Sequence, residues 1–115
     1  MSEKPQIKQD PLYQLLRDGK IDEFNKRKAA GEQCDLTGCD FRNIDLRGLA
    51  ADGIDFSNSY FHQADLRGVD LRKANLAGAS INGARISGVY FPAALAPEEI
   101  NLSLMHGTRM RYSNK

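Results

Sequence analysis

From Cys34 to Ala93 the chain is written in units of five residues without a break: CDLTG, CDFRN, IDLRG, LAADG, IDFSN, SYFHQ, ADLRG, VDLRK, ANLAG, ASING, ARISG and VYFPA. The third position of the units holds Leu36, Phe41, Leu46, Ala51, Phe56, Phe61, Leu66, Leu71, Leu76, Ile81, Ile86 and Phe91. The first position is mostly small or β-branched, the second is often Asp, and the fifth is often Gly. An α-helix would smear a period of five around its circumference. A long strand would send every other third-position residue to the opposite face. A chain that turns once per unit avoids both faults. It sends positions one and three inward and position two outward, and it makes a corner of the rest. Gly suits that corner because it accepts φ > 0 without steric cost. One such unit cannot bury its own apolar side, so the units must stack.

The motif A-[DN]-L-x-x is matched fully by ADLRG at Ala64–Gly68 and by ANLAG at Ala74–Gly78. On these residues the stretch resembles the pentapeptide-repeat family. The resemblance implies a mainly β solenoid, a right-handed quadrilateral β-helix with four units to a coil. Residues 34–93 would then make about three coils, preceded by an N-terminal helical hairpin and followed by a C-terminal capping helix. The expected inner column residues are Leu36, Phe41, Leu46, Phe56, Phe61, Leu66, Leu71, Leu76, Ile81, Ile86 and Phe91. Ala51 is too small for its column, and an apolar residue of the N-terminal segment is expected to fill the space. SYFHQ and VYFPA also depart from the pattern, with Ser59 inward and Tyr60 and Tyr90 at the usual Asp position.

With twenty residues to a coil, three outward columns follow. One holds Asp45, Asp65 and Arg85 beside Arg47 and Arg67. A second holds Asp70 and Tyr90 beside Arg72. A third holds Asp40, Tyr60 and Ser80 beside Arg42 and His62. Each of these aspartates has an arginine two residues on, so the surface is read as self-compensating.

The flanks are helical by pattern. Residues 1–9 are expected to be a flexible tail, and residues 10–33 an N-terminal helical cap. Asp10 is an N-cap acceptor and Pro11 suits the first helical position. Leu12, Leu15 and Leu16 share a face, and Gly19 ends that helix. A second helix runs from about Ile21 to Ala30, acidic at its start and basic at its end, as the helix dipole prefers. Residues 94–115 form a C-terminal capping helix and basic tail. Pro97, Glu98 and Glu99 open the helix, and Ile100 and Leu104 face inward. Leu102 and Met105 point elsewhere, toward further core or toward a second copy of the chain. Thr108 to Lys115 is either a solvated basic tail or a segment folded back so that Met110 and Tyr112 cover apolar surface.

Composition narrows the function. The chain has 115 residues and a net charge of +1. The repeats carry Asp35, Asp40, Asp45, Asp52, Asp55, Asp65 and Asp70 against Arg42, Arg47, Arg67, Arg72, Lys73 and Arg85. Such balance argues against a field built for nucleic acid. The start is polar, without a secretory h-region, and no run reaches the ~20 apolar residues of a membrane span, so a cytoplasmic location is expected. Cys34 and Cys39 fall at equivalent inward positions and fit no zinc pattern. Neither His62 nor His106 has a nucleophile or carboxylate partner by motif, and no phosphate loop is present. The reading is a non-enzymatic structural or protein-interaction module without metal or cofactor, monomeric or a homodimer through the C-terminal helix, whose partner is another protein. Contact residues are expected among Tyr60, Tyr90, His62, Arg42, Arg47, Arg67 and Arg72, since Tyr and Arg favour interface hot spots. The resemblance implies one alternative, a DNA-mimicking modulator of a type II topoisomerase such as DNA gyrase. Three coils about 4.8 Å apart would span only about four to five base-pair steps of ~3.4 Å.

Overall fold

The computed structural model of the protein describes residues 5–113. Residues 1–4 of the expected tail, and Asn114 and Lys115 of the basic segment, lie outside the described residues. Three helices are present: α1 (Pro11–Arg17), α2 (Ile21–Ala29) and α3 (Pro97–His106). Asp10 caps α1 by accepting from the Leu12 and Tyr13 amides. Gly107, with φ 75°, ends α3 in the left-handed region.

The expected β class is not what the repeats form. Among the described residues there is no β-strand and no sheet, and hence no quadrilateral β-helix; the regular elements are the three short helices. The repeats are joined instead by isolated single-residue parallel bridges, six of which link residues twenty apart: Asp40–Tyr60, Asp45–Asp65, Asp55–Asn75, Tyr60–Ser80, Asp65–Arg85 and Asp70–Tyr90. The Tyr60 amide donates to the Cys39 carbonyl at 2.9 Å, and the Phe41 amide donates to the Tyr60 carbonyl at 2.8 Å.

The reason lies in the turns. The carbonyl at the third position accepts from the amide that opens the next unit, as in Leu49 to Leu46 and Val69 to Leu66. The fifth residue therefore sits third in a four-residue turn, and at each corner from Gly38 to Gly88 except Lys73 it takes φ > 0, the requirement of a type II turn. Glycine meets it at most corners, but Asn43, Asn58 and Gln63 also adopt φ of 64°, 62° and 58°. A turn claims all of each unit except the second residue. One bridging residue per unit cannot extend into a strand.

We describe the repeats as rows: 34–53, 54–73 and 74–93. Between them lies one apolar core. Phe41 stacks on Phe61, ring centroids 5.0 Å apart and 7° from parallel, and Phe56 meets both edge-on. From α1, Tyr13 closes the first row: its ring is edge-on to Phe41 at 5.4 Å, and its hydroxyl donates to the Asp40 carbonyl at 2.7 Å. Ala51 is buried in the same cluster as Leu12, Leu16 and Phe24. Asn25 of α2 donates to the Gly48 carbonyl and accepts from the Ala50 amide. The segment before Asp10 is anchored in its described part, because Gln6 forms a parallel bridge with Cys39.

The third row is covered over half its length. The Met110 carbonyl accepts from the Gly78 amide, the Met110 amide donates to Ala79, and the Met110 side chain is fully buried. Tyr112 Oη accepts from the Leu76 amide, and Ser103 Oγ of α3 accepts from Ile81. Residues 108–113 thus fold back over the row. The other half has no such cover, and Ile86 and Phe91, expected as inner residues, are only partly buried.

One inward position is polar. Ser59 Oγ donates to the Leu36 carbonyl at 2.6 Å and accepts from the Cys39 amide at 3.0 Å, so it joins the first two rows. Ser59→Ala strands both groups in the core and should cost about 1–3 kcal/mol, read as a lower urea midpoint with unchanged slope. Ser57→Ala, two residues away, should stay within about 0.5 kcal/mol of wild type. Equal effects for the two variants would contradict the role given to Ser59.

Candidate interaction surface

Position two of the unit is the outward one, and position four is the residue that reaches back to it. In four units the pair is Asp-x-Arg, and all four adopt the same geometry. Asp40, Asp45, Asp65 and Asp70 each accept two side-chain bonds, Nε to Oδ1 and Nη2 to Oδ2, from Arg42, Arg47, Arg67 and Arg72, at 2.7–3.0 Å. The arginine's own amide donates to the same Oδ1. Bidentate charge-assisted bonds of this kind are directional and short. Their consequence here is local neutrality, since each arginine is folded over its own carboxylate. Arg47 also reaches up the column to Asp65, 3.4 Å away.

The expected contact residues therefore fall into three groups on different columns. Arg47 and Arg67 share Asp65. Arg72 places its guanidinium carbon 4.8 Å from the Tyr90 ring centroid, directly above Asp70 in the bridge ladder. Tyr60 and His62 lie with ring centroids 5.4 Å apart, and Arg109 of the returning segment lies 5.7 Å over Tyr60. Arg109 was not among the expected contact residues. Its only sequence signal was membership of a basic segment that could fold back.

His62 has a serine neighbour that no motif announces. Its Nε2 is 2.9 Å from Ser80 Oγ. Ser80 is buried, and its hydroxyl donates to the Gly107 carbonyl at 3.0 Å. With that proton committed, His62 Nε2–H is the donor to Ser80 Oγ. Burial, and then the Arg42 charge, lower the His62 pKa, which favours this neutral ring. The pair ties the second row to the C-terminus of α3. The thiols are quiet. Burial pushes Cys39 up to about 11, and Cys34 is shifted the same way. No group of three or more metal-ligating side chains occurs among the described residues. No helix there is long and apolar enough to cross a membrane.

The Arg67 and Arg72 side chains hold Asp65 and Asp70 at a pKa of about 2, well below the ordinary carboxylate range. Both pKa values are depressed on folding. Their stabilisation is present above the unfolded value of about 3.9 and is lost as pH falls through the folded value. The thermal midpoint should decline modestly below about pH 6.5, where the unfolded chain protonates His62 before the folded one does. It should drop further between about pH 4 and 2, where Asp65 and Asp70 lose their charge. The Arg67→Ala, Arg72→Ala double variant should show a shallower acid limb. An acid limb identical to that of wild type would contradict the clamp assignment.

A family model described as pentapeptide repeats matches the chain in eight copies, over residues 32–59 and 54–91. No curated protein and no solved structure matches. The matched residues cover more than half of the chain and include all four clamped Asp-x-Arg units and Tyr90. The chain belongs to the pentapeptide-repeat family.

Proposed function

We propose that the protein is a non-catalytic interaction module that binds another protein through the face carrying Arg72 and Tyr90. One observation carries this reading. Tyr90 is 58% exposed, and the guanidinium beside it is already fixed by two bonds to Asp70. Ordering a long side chain on binding costs about 0.5–1.5 kcal/mol, and Arg72 has met that cost in the free protein. An exposed aromatic ring backed by a rigid cation is the type of group that dominates interface energetics.

The alternative, a mimic of duplex DNA acting on a type II topoisomerase, needs an unscreened acidic surface. Four of the seven aspartates of the repeats are neutralised by their own arginines, which does not favour it. A homodimer through α3 would rest on Leu102 and Met105, the exposed large apolar residues of that helix. Two side chains fall well short of the roughly 1,200–2,000 Å² that a stable interface buries. We therefore take the module as a monomer.

The test is quantitative affinity capture from the source cell by wild type, Tyr90→Ala and Arg72→Ala, each checked for an unchanged far-ultraviolet spectrum. Wild type should recover one protein in stoichiometric amount, and each variant should lose at least about tenfold of it. Equal recovery by Tyr90→Ala would remove this face from the interaction. Inhibition of gyrase supercoiling at micromolar protein would favour the mimic.

A further inference from the structure

We propose that the uncovered edge of the third row at Ala84–Ile86 is a docking site for an extended segment of a partner protein in which a carboxylate residue is followed by a bulky apolar one. This rests on the interaction-module reading and names the chemistry of what is bound.

Three observations lead there. The first is backbone. In the lower rows the groups equivalent to the Ile86 amide and the Ala84 carbonyl are paired: Leu46 and Leu66 amides donate upward to Asp65 and Arg85, and Ile44 and Ala64 carbonyls accept from the same two residues. The Gly68 amide donates to Ser87, while the Gly48 amide, like that of Gly88, has no partner among the described residues. In the third row the Ile86 amide and the Ala84 carbonyl have no partner among the described residues, and neither has the Gly88 amide. The second is apolar. Leu46 and Leu66 are 0% and 1% exposed, whereas Ile86, above them, is only partly buried. The third is charge. Arg85 occupies the position where other units carry Asp, is exposed, and makes no ion pair among the described residues. It stands above Asp65 in a column whose signs otherwise compensate.

The molecule itself shows that such an edge accepts a segment from outside the repeats. At the first row, the Gln6 amide donates to the Gly38 carbonyl at 2.8 Å and the Gln6 carbonyl accepts from the Asp40 amide at 3.0 Å, which makes a parallel bridge. The same pair of bonds at the opposite end requires a residue whose amide donates to Ala84 and whose carbonyl accepts from Ile86. A residue stacked there points its side chain outward, over Arg85. Its successor points inward, onto Ile86. A carboxylate at the first place completes the charge column, and a Leu or Phe at the second completes the apolar one. Addition of an extended segment to an open edge takes affinity from backbone bonds and specificity from alternate side chains. Tyr90 lies four residues beyond Ile86 in the same uncovered half of the row, so one partner can engage both.

The probes are the amidated peptides SGADLSG and SGAKLSG, titrated into isotope-labelled full-length protein and followed by amide chemical shifts. SGADLSG should give saturable shifts centred on Arg85, Ile86 and Gly88 and slow the exchange of the Ile86 amide. SGAKLSG should bind about fivefold or more weakly. Arg85→Glu should reverse that order, and Arg85→Gln, which places no new charge above Asp65, should abolish the preference. No saturable shift at millimolar peptide, shifts centred elsewhere, or equal binding of both peptides by wild type would overturn the proposal. So would a dimer, seen by sedimentation, that Arg85→Glu dissolves, because the edge would then belong to a second copy. Capture of a partner lost in Tyr90→Ala but retained in Arg85→Glu would leave the interaction face standing and remove the edge. Capture unaffected by either variant would remove both.

Discussion

Single backbone pairs between residues twenty apart, at most one for each pair of stacked units, hold this molecule in register. Each bridge is formed by one outward residue, with a turn on either side of it. No regular sheet spreads the load, so the rows depend on the corners staying in the left-handed region. Gly78 illustrates how tight that arrangement is. A Cβ there would lie 2.2 Å from Asn58 Oδ1, the side chain of the corner residue one row below, whereas a Cβ at Gly53, with nearly the same φ, would meet nothing within 4 Å. Corner glycines are therefore not equivalent: some supply only a backbone angle, and Gly78 also supplies space.

Two ends of a stack always lack a neighbour, and the chain treats them differently. The first row is closed by α1 and α2, with Tyr13 covering the Phe41 ring and Asn25 bonding Gly48 and Ala50. The third row is closed only in part, by α3, Met110 and Tyr112. What remains is a short stretch whose amides and arginine have no partner among the described residues, with half-buried apolar side chains and an exposed tyrosine. These features are the ordinary consequences of an unfinished layer. Their coincidence on one edge gives the surface its direction, and it separates this edge from the self-neutralised Asp-x-Arg columns lower down.

Much of this was readable from the residues. The helix starts at Asp10–Pro11 and Ala96–Pro97 follow from local capping chemistry, and the inward positions follow from the period. The β class did not hold, because the period reveals that a turn occurs in every unit but not how many residues are left over to pair. Asn43, Asn58 and Gln63 take a conformation associated with glycine at corners that most other units fill with glycine. Tyr13 was missed because its neighbours Leu12, Leu15 and Leu16 already define an apolar helix face; its ring packs inward on Phe41, twenty-eight residues along the chain, a contact visible only in three dimensions. The contact between His62 and Ser80 has the same origin, since a separation of eighteen residues is meaningful only once the row length is known. Ile86 and Phe91 match the inner pattern fully, and no local signal says that the layer above them is missing.

Native-state amide exchange tests the row pairing most directly, because it reports each backbone pair separately. The Leu46, Phe61, Leu66 and Leu71 amides, each bonded to the row above, should exchange slowly and together, near the global unfolding limit. The Ile86 and Gly88 amides should exchange orders of magnitude faster, at rates set by local exposure. Protection of Ile86 equal to that of Leu66 in the free protein, or rapid exchange at Leu66, would contradict the pairing of residues twenty apart on which the whole architecture depends.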